Sequence, residues 1–142
     1  MSLENKATVA RAVAALGRGD VEAFLADVTD DFAFTLAGHP PGGNTLQGKR
    51  PMIDFLKELF GSRLERGAIA MSSENMIAEG PFVVEQASGR ATTVEGEAYD
   101  NAYCRVWNFR GDKIAELTEY MDTELARRCL WSGPIDNPKR RS

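Results

Sequence analysis

Residues 99–122 read YDNAYCRVWNFRGDKIAELTEYMD, and the reading of this stretch decides the fold. Two runs with strand-like alternation, Tyr99 to Arg110 and Lys113 to Asp122, flank the dipeptide Gly111-Asp112. A two-residue loop with glycine leading suits the tight turns that join antiparallel strands, so the sequence predicts a β-hairpin with Arg110 opposite Lys113. Counting back from that pair without interruption sets Cys104 against Glu119, Val106 against Leu117 and Ala102 against Met121. On the other face Tyr103 meets Tyr120, Arg105 meets Thr118 and Asn101 meets Asp122. Side chains alternate with a period of two, so this one register assigns every residue to a face. The first face is small and apolar around a single acid, and the second is aromatic and polar. Both are too apolar for water alone, which predicts helices over one and a second copy of the chain over the other.

Upstream of the hairpin, Ala68 to Ala78 and Phe82 to Thr93 read as two more strands, turned by Glu79-Gly80-Pro81 and Glu95-Gly96. The first third of the chain is helical in period. Val9, Ala12, Val13 and Leu16 recur at helix spacing before Gly17, and Asp20 reads as the cap of a helix carrying Val21, Phe24, Leu25 and Val28. A short strand, Phe32 to Leu36, follows, and Gly38 to Gly48 reads as an irregular loop. Pro51 suits the first turn of a third helix whose Met52, Phe55, Leu56, Leu59 and Phe60 end at Gly61. Thr123 to Leu130 is a further short helix. Helices first and a strand meander after predict an α+β domain over residues 1–130, with a tail at 131–142.

Composition narrows the function. At 142 residues and 15.6 kDa the chain has the size of one domain. Its net charge is −4, and since Lys139, Arg140 and Arg141 contribute +3, the remainder carries −7, which argues against a nucleic-acid surface. A single histidine, His39, and two cysteines, Cys104 and Cys129, make neither a metal centre nor a disulfide framework. No apolar run approaches a membrane span and no leader is visible, so a cytoplasmic protein without membrane contact is expected.

Tyr99-x-Asn101-x-Tyr103-x-x-Val106, then Asp112-Lys113-Ile114, then Glu119-Tyr120-x-Asp122 resembles the C-terminal half of SnoaL-like proteins of the NTF2-like superfamily. That superfamily also holds ketosteroid isomerases, limonene-epoxide hydrolases and polyketide cyclases. The resemblance spans about residues 3 to 125. It implies a cone of three N-terminal helices packed on a curved, mostly antiparallel sheet, open at the mouth to a small apolar or polyketide-like ligand. It also implies a homodimer through the outer sheet face and cofactor-independent isomerase, cyclase or hydrolase chemistry. Residue by residue, the isomerase's general base falls near Leu36 and its oxyanion acid near Cys104. The hydrolase's Arg-x-Asp pair falls on Gln86 and Ser88, its Tyr-x-Asn on Phe34 and Leu36, and one of its acids on Glu119.

Glu119 is therefore the candidate acid–base residue, because a carboxylate among Leu117, Met121, Cys104 and Val106 is desolvated and so tuned toward proton transfer. His39, near the expected mouth, is the second candidate. Phe34, Leu36, Phe55, Leu59 and Val84 are expected around the ligand with the residues just named, and Gln86 and Ser88 as neutral hydrogen-bond partners. Tyr103, Arg105, Trp107, Thr118 and Tyr120 are expected at the dimer face. No cofactor and no metal is expected. A binding protein without chemistry, or a dimeric interaction module, is the alternative, since the family's partner groups are missing at Leu36, Gln86 and Ser88.

Overall fold

The computed structural model describes residues 2–38 and 45–130. Helix α1, Ser2–Gly17, buries Val9, Ala12, Val13 and Leu16, the stripe that the spacing marks out. The carboxylate of Asp20 accepts a hydrogen bond from the backbone N–H of Ala23 at 3.0 Å and so caps α2, Val21–Leu25. Val28 does not extend that helix as its spacing suggests. It opens β1, Val28–Leu36, because the chain is captured there by the strand carrying Ile114. The glycine- and proline-rich segment also holds regular structure: Thr45–Gln47 form β2, antiparallel to β1. Helix α3 spans Lys49–Glu58, and a wider helical turn over Leu59–Arg63 carries the chain past Gly61. Then come β3 (Ala70–Glu79), β4 (Phe82–Thr92), β5 (Ala98–Arg110), β6 (Lys113–Met121) and α4 (Thr123–Cys129), the last capped by Asp122.

The six strands make one sheet in the order β2-β1-β6-β5-β4-β3, antiparallel throughout except for the β1–β6 pair. The α+β class stands. The helices, however, are not three at the N-terminus: among the described residues two precede β1, the third follows β2 and the fourth closes the domain. They pack on the sheet face that carries Phe34, Val83, Trp107 and Leu117, and one apolar core results. Phe24 of α2 meets Phe32 of β1 edge to face at 5.8 Å, both fully buried. No described helix is long and apolar enough to cross a membrane.

The hairpin turn forms as expected, with Gly111 at φ +65 and Arg110 opposite Lys113. The register behind it does not. Phe109 pairs with Ile114 but Asn108 pairs with Glu116, so Ala115 is an extra residue on β6 and both Ile114 and Ala115 are buried. Such a bulge shifts the remaining pairs by one. Glu119 lies opposite Arg105, Leu117 opposite Trp107, Met121 opposite Tyr103 and Tyr120 opposite Cys104. The whole of β5 is thereby turned over relative to the sequence reading. Tyr99, Asn101, Tyr103, Arg105, Trp107 and Phe109 face the core, while Cys104 and Val106 face outward with Val84, Gln86 and Ser88 of β4.

Candidate functional site

The reversal of β5 brings three charged side chains together in the domain's interior. Arg105 is fully buried and donates from Nε to Oε2 of Glu119 at 2.6 Å, and from Nη1 to Oε1 of Glu85 at 3.1 Å. Glu85, on the core face of β4, is itself fully buried. Its Oε1 also accepts from the indole Nε1 of Trp107 at 3.1 Å, and its Oε2 from the hydroxyl of Ser73 at 2.5 Å. The guanidinium lies over the ring of Tyr103 at 4.5 Å. Its burial works against the charge, but the two carboxylates, Glu119 foremost, more than compensate and hold its pKa above the ordinary value. Every polar atom of Glu85 named here is occupied, which makes it a structural anchor. Glu119 differs. Its side chain keeps 13% exposure, and among the described residues its Oε1 takes no hydrogen bond.

Glu119 borders a cavity. Phe34 and Leu36 from β1, Phe55 and Leu59 from the α3 region, Leu117 and Met121 from β6, and Tyr99, Tyr103 and Met71 line it with Arg105 and Glu119. Its free space is about 50 Å³, and about 550 Å³ with the interstices and open mouth included. Room for water exists, since one molecule needs roughly 10–15 Å³. The tyrosine hydroxyls supply protons that they do not give up easily. Burial pushes Tyr99 up to about 12, and it pushes Tyr103 up as well, with help from Tyr99 and Glu119. Asn101 Nδ2 donates to the Tyr99 hydroxyl at 3.1 Å and to the backbone carbonyl of Asp122 at 3.2 Å, while its Oδ1 accepts from the Asp122 N–H. It ties the end of β6 to β5 from the inside of the sheet, not from the outer face.

Of the sequence candidates, the structure thus gathers Glu119, Phe34, Leu36, Phe55, Leu59, Leu117 and Met121 around one space. It places Val84, Gln86, Ser88, Cys104 and Val106 on the opposite face, outside that space, because one bulge reverses the hairpin. For the same reason Tyr103, Arg105 and Trp107 are buried under the helices and cannot be at a dimer face; Tyr120 and Thr118 remain outside. His39 lies outside the described residues, as does the tail at 131–142. Glu85, Arg105 and Ser73 are the polar residues that the sequence reading missed here. Their signal was present in phase: Val83, Glu85, Ala87 and Gly89 alternate on the core side of β4 as Tyr103, Arg105 and Trp107 do on β5. No group of three or more His, Cys, Asp or Glu residues suited to a metal ion lies among the described residues.

The sequence of residues 9–117 matches the model of the SnoaL-like domain. None of the curated proteins matches the chain significantly. Among solved structures, it is similar to an NTF2-like protein of unknown function from Burkholderia pseudomallei K96243, at 22% identity and a TM-score of 0.76 over 89% of this chain and 97% of that one. It is similar to TerC co-crystallised with polyporic acid, at 18% identity and a TM-score of 0.75 over 94% of this chain and 99% of that one. An LEH-like epoxide hydrolase from M. tuberculosis shows 17% identity and a TM-score of 0.70 over 93% and 92% of the two chains. At such identities the likeness establishes the fold, an NTF2-like α+β fold with an open, mostly antiparallel sheet.

Proposed function

Since the chain belongs to the SnoaL-like domain family, we propose that its cavity receives a small, mostly apolar, ring-containing molecule in the cytoplasm. Glu119 then moves a proton on it without a cofactor, as an isomerase, cyclase or hydrolase does. One observation carries this reading: a carboxylate at the edge of an apolar cavity with only one of its oxygens pinned by a buried guanidinium. The pinned oxygen fixes the direction of the open one, so a proton acceptor is held ready without reorganisation. The Arg105 and tyrosine N–H and O–H groups beside it offer hydrogen bonds to an oxygen on which charge develops. Similar proteins support small-molecule use of the fold, one co-crystallised with polyporic acid and one an LEH-like epoxide hydrolase.

Glu119→Gln tests it, because the amide keeps the shape and still accepts from Arg105 Nε while losing the base. Among ring-containing ketones, lactones and epoxides, a substrate is identified by turnover or by deuterium uptake from solvent. On that substrate the variant is expected to lose about 10²–10⁴-fold in kcat with little change in KM. Turnover within about twofold of the parent would remove Glu119 from the chemistry.

A dimeric interaction module is the second reading, favoured by the free volume of about 50 Å³, well under the roughly 300 Å³ of common ligand sites. It predicts that no small ring-containing molecule raises Tm, since a ligand without a site adds no stability.

We also propose that two copies pair through the outer sheet face. Ile77, Val84 and Val106 stand side by side there across three strands, with Phe82 and Tyr120 nearly half exposed. Light scattering at micromolar concentration is expected to give twice the 15.6 kDa chain mass; a species of the single mass would overturn the pairing.

A further inference from the structure

The cavity has a large neighbour. An open groove of about 880 Å³ runs beneath α1, between Val13, Gly17 and the start of β3, and it is walled off from the cavity by Ile69 and Met71, which line both spaces. Met71 is half-buried, and its thioether accepts from Nη2 of Arg105 at 3.4 Å. Thioether sulfur is a weak acceptor, so a fully buried guanidinium N–H that faces the cavity is poorly satisfied there. The methionine lies in a slot between two glycines. A Cβ at Gly17 would come within 3.3 Å of Met71 Cγ, and one at Gly89 within 3.2 Å of its Sδ. An unbranched side chain in such a slot turns readily about three bonds.

We propose that Met71 is a displaceable wall that sets which ligands this protein accepts, and that the ligand oxygen takes the thioether's place on Arg105. The inference rests on the cavity being a ligand site. With Met71 turned aside, cavity and groove become one elongated space that reaches from Glu119 to the underside of α1. The ligand is then long, mostly apolar and longer than the cavity alone. Its polar end is a neutral carbonyl and not a carboxylate. Glu85 and Glu119 already outnumber the single buried cation, and an anionic oxygen would add a third negative charge to the interior.

Three probes of graded shape test this by titration calorimetry: acetophenone, 4-acetylbiphenyl and biphenyl-4-carboxylate. Met71→Ala is expected to tighten 4-acetylbiphenyl by about tenfold, roughly 1.4 kcal/mol, while acetophenone changes by less than about threefold. The carboxylate is expected to bind the parent protein about tenfold more weakly than 4-acetylbiphenyl. In the parent protein, the carbon-13 methyl resonance of Met71 is expected to shift on saturation with 4-acetylbiphenyl, a measurement that does not depend on the variant folding. An unmoved Met71 resonance at saturation, or equal tightening of both ketones, overturns the displaceable wall and leaves the cavity reading in place. Carboxylate binding as tight as the ketone's overturns the neutral ligand class. If none of the three probes binds either form, the ligand-site reading falls together with it.

Discussion

Arg105→Met is expected to lower the free energy of unfolding by about 3–5 kcal/mol, the range seen when one partner of a buried ion pair is removed. Methionine fills the space of the arginine stem as far as about Nε, so the void it leaves is confined to the end of the guanidinium and volume contributes the smaller share of the loss. What remains is Glu85, fully buried, with only the hydroxyl of Ser73 and the indole of Trp107 against its charge. Glu119 is less affected, since it keeps some access to solvent. Adding Glu85→Gln to Arg105→Met is therefore expected to recover stability, because a neutral amide still accepts from Trp107 and needs no cation. Urea unfolding followed by circular dichroism measures both. A loss under about 1 kcal/mol for Arg105→Met, or no recovery in the double variant, would show that the interior is wetter than the geometry implies.

Trp107→Ala is expected to cost a similar amount, about 3–5 kcal/mol, through a different mechanism. Among the described residues Trp107 is the largest fully buried side chain, and it sits opposite Leu117 in the layer between sheet and helices. Its loss opens a cavity and also removes a donor from Glu85. Trp107→Phe separates the two contributions. It keeps most of the ring volume and loses only the N–H to an ionised acceptor, for about 1–3 kcal/mol. If Trp107→Phe proves as damaging as Trp107→Ala, the hydrogen bond to Glu85 dominates; if it is silent, Glu85 does not depend on the indole. Either variant that still folds also reports on the site, because a displaced Glu85 loosens Arg105 and with it the oxygen of Glu119.

Glu119 was legible as the one acid among apolar neighbours, and its neighbours Leu117 and Met121 keep the same face in the structure. Phe34 and Leu36, placed by alternation within β1, also reach the cavity. The reading failed where it relied on counting across a long hairpin. One extra residue at Ala115 moved Arg105 from a supposed outer surface to the centre of the domain. A volume argument pointed the same way as the structure. At odd positions from 99 to 109 stand Tyr, Asn, Tyr, Arg, Trp and Phe, and at even positions from 98 to 108 Ala, Asp, Ala, Cys, Val and Asn. Large rings bury more area and belong under the helices. The charge of Arg105 disguised that pattern, since an arginine is buried only where partners exist, and its partners come from strands 20 and 14 residues away.

By itself the sequence determined the order of the elements apart from β2, the cap at Asp20, the turn at Gly111-Asp112 and membership in a family whose fold the structure shares. Those features rest on local spacing and on residues near one another in the chain. Only the tertiary structure decided which face of β5 is inside, that Arg105 bridges Glu85 and Glu119, and that Met71 lines both the cavity and the open groove. With a side-chain period of two, a single bulge inverts every assignment behind it. Whether that bulge forms depends on the burial of Trp107 and Ile114 and on an ion pair between distant strands, none of which is a property of the hairpin alone.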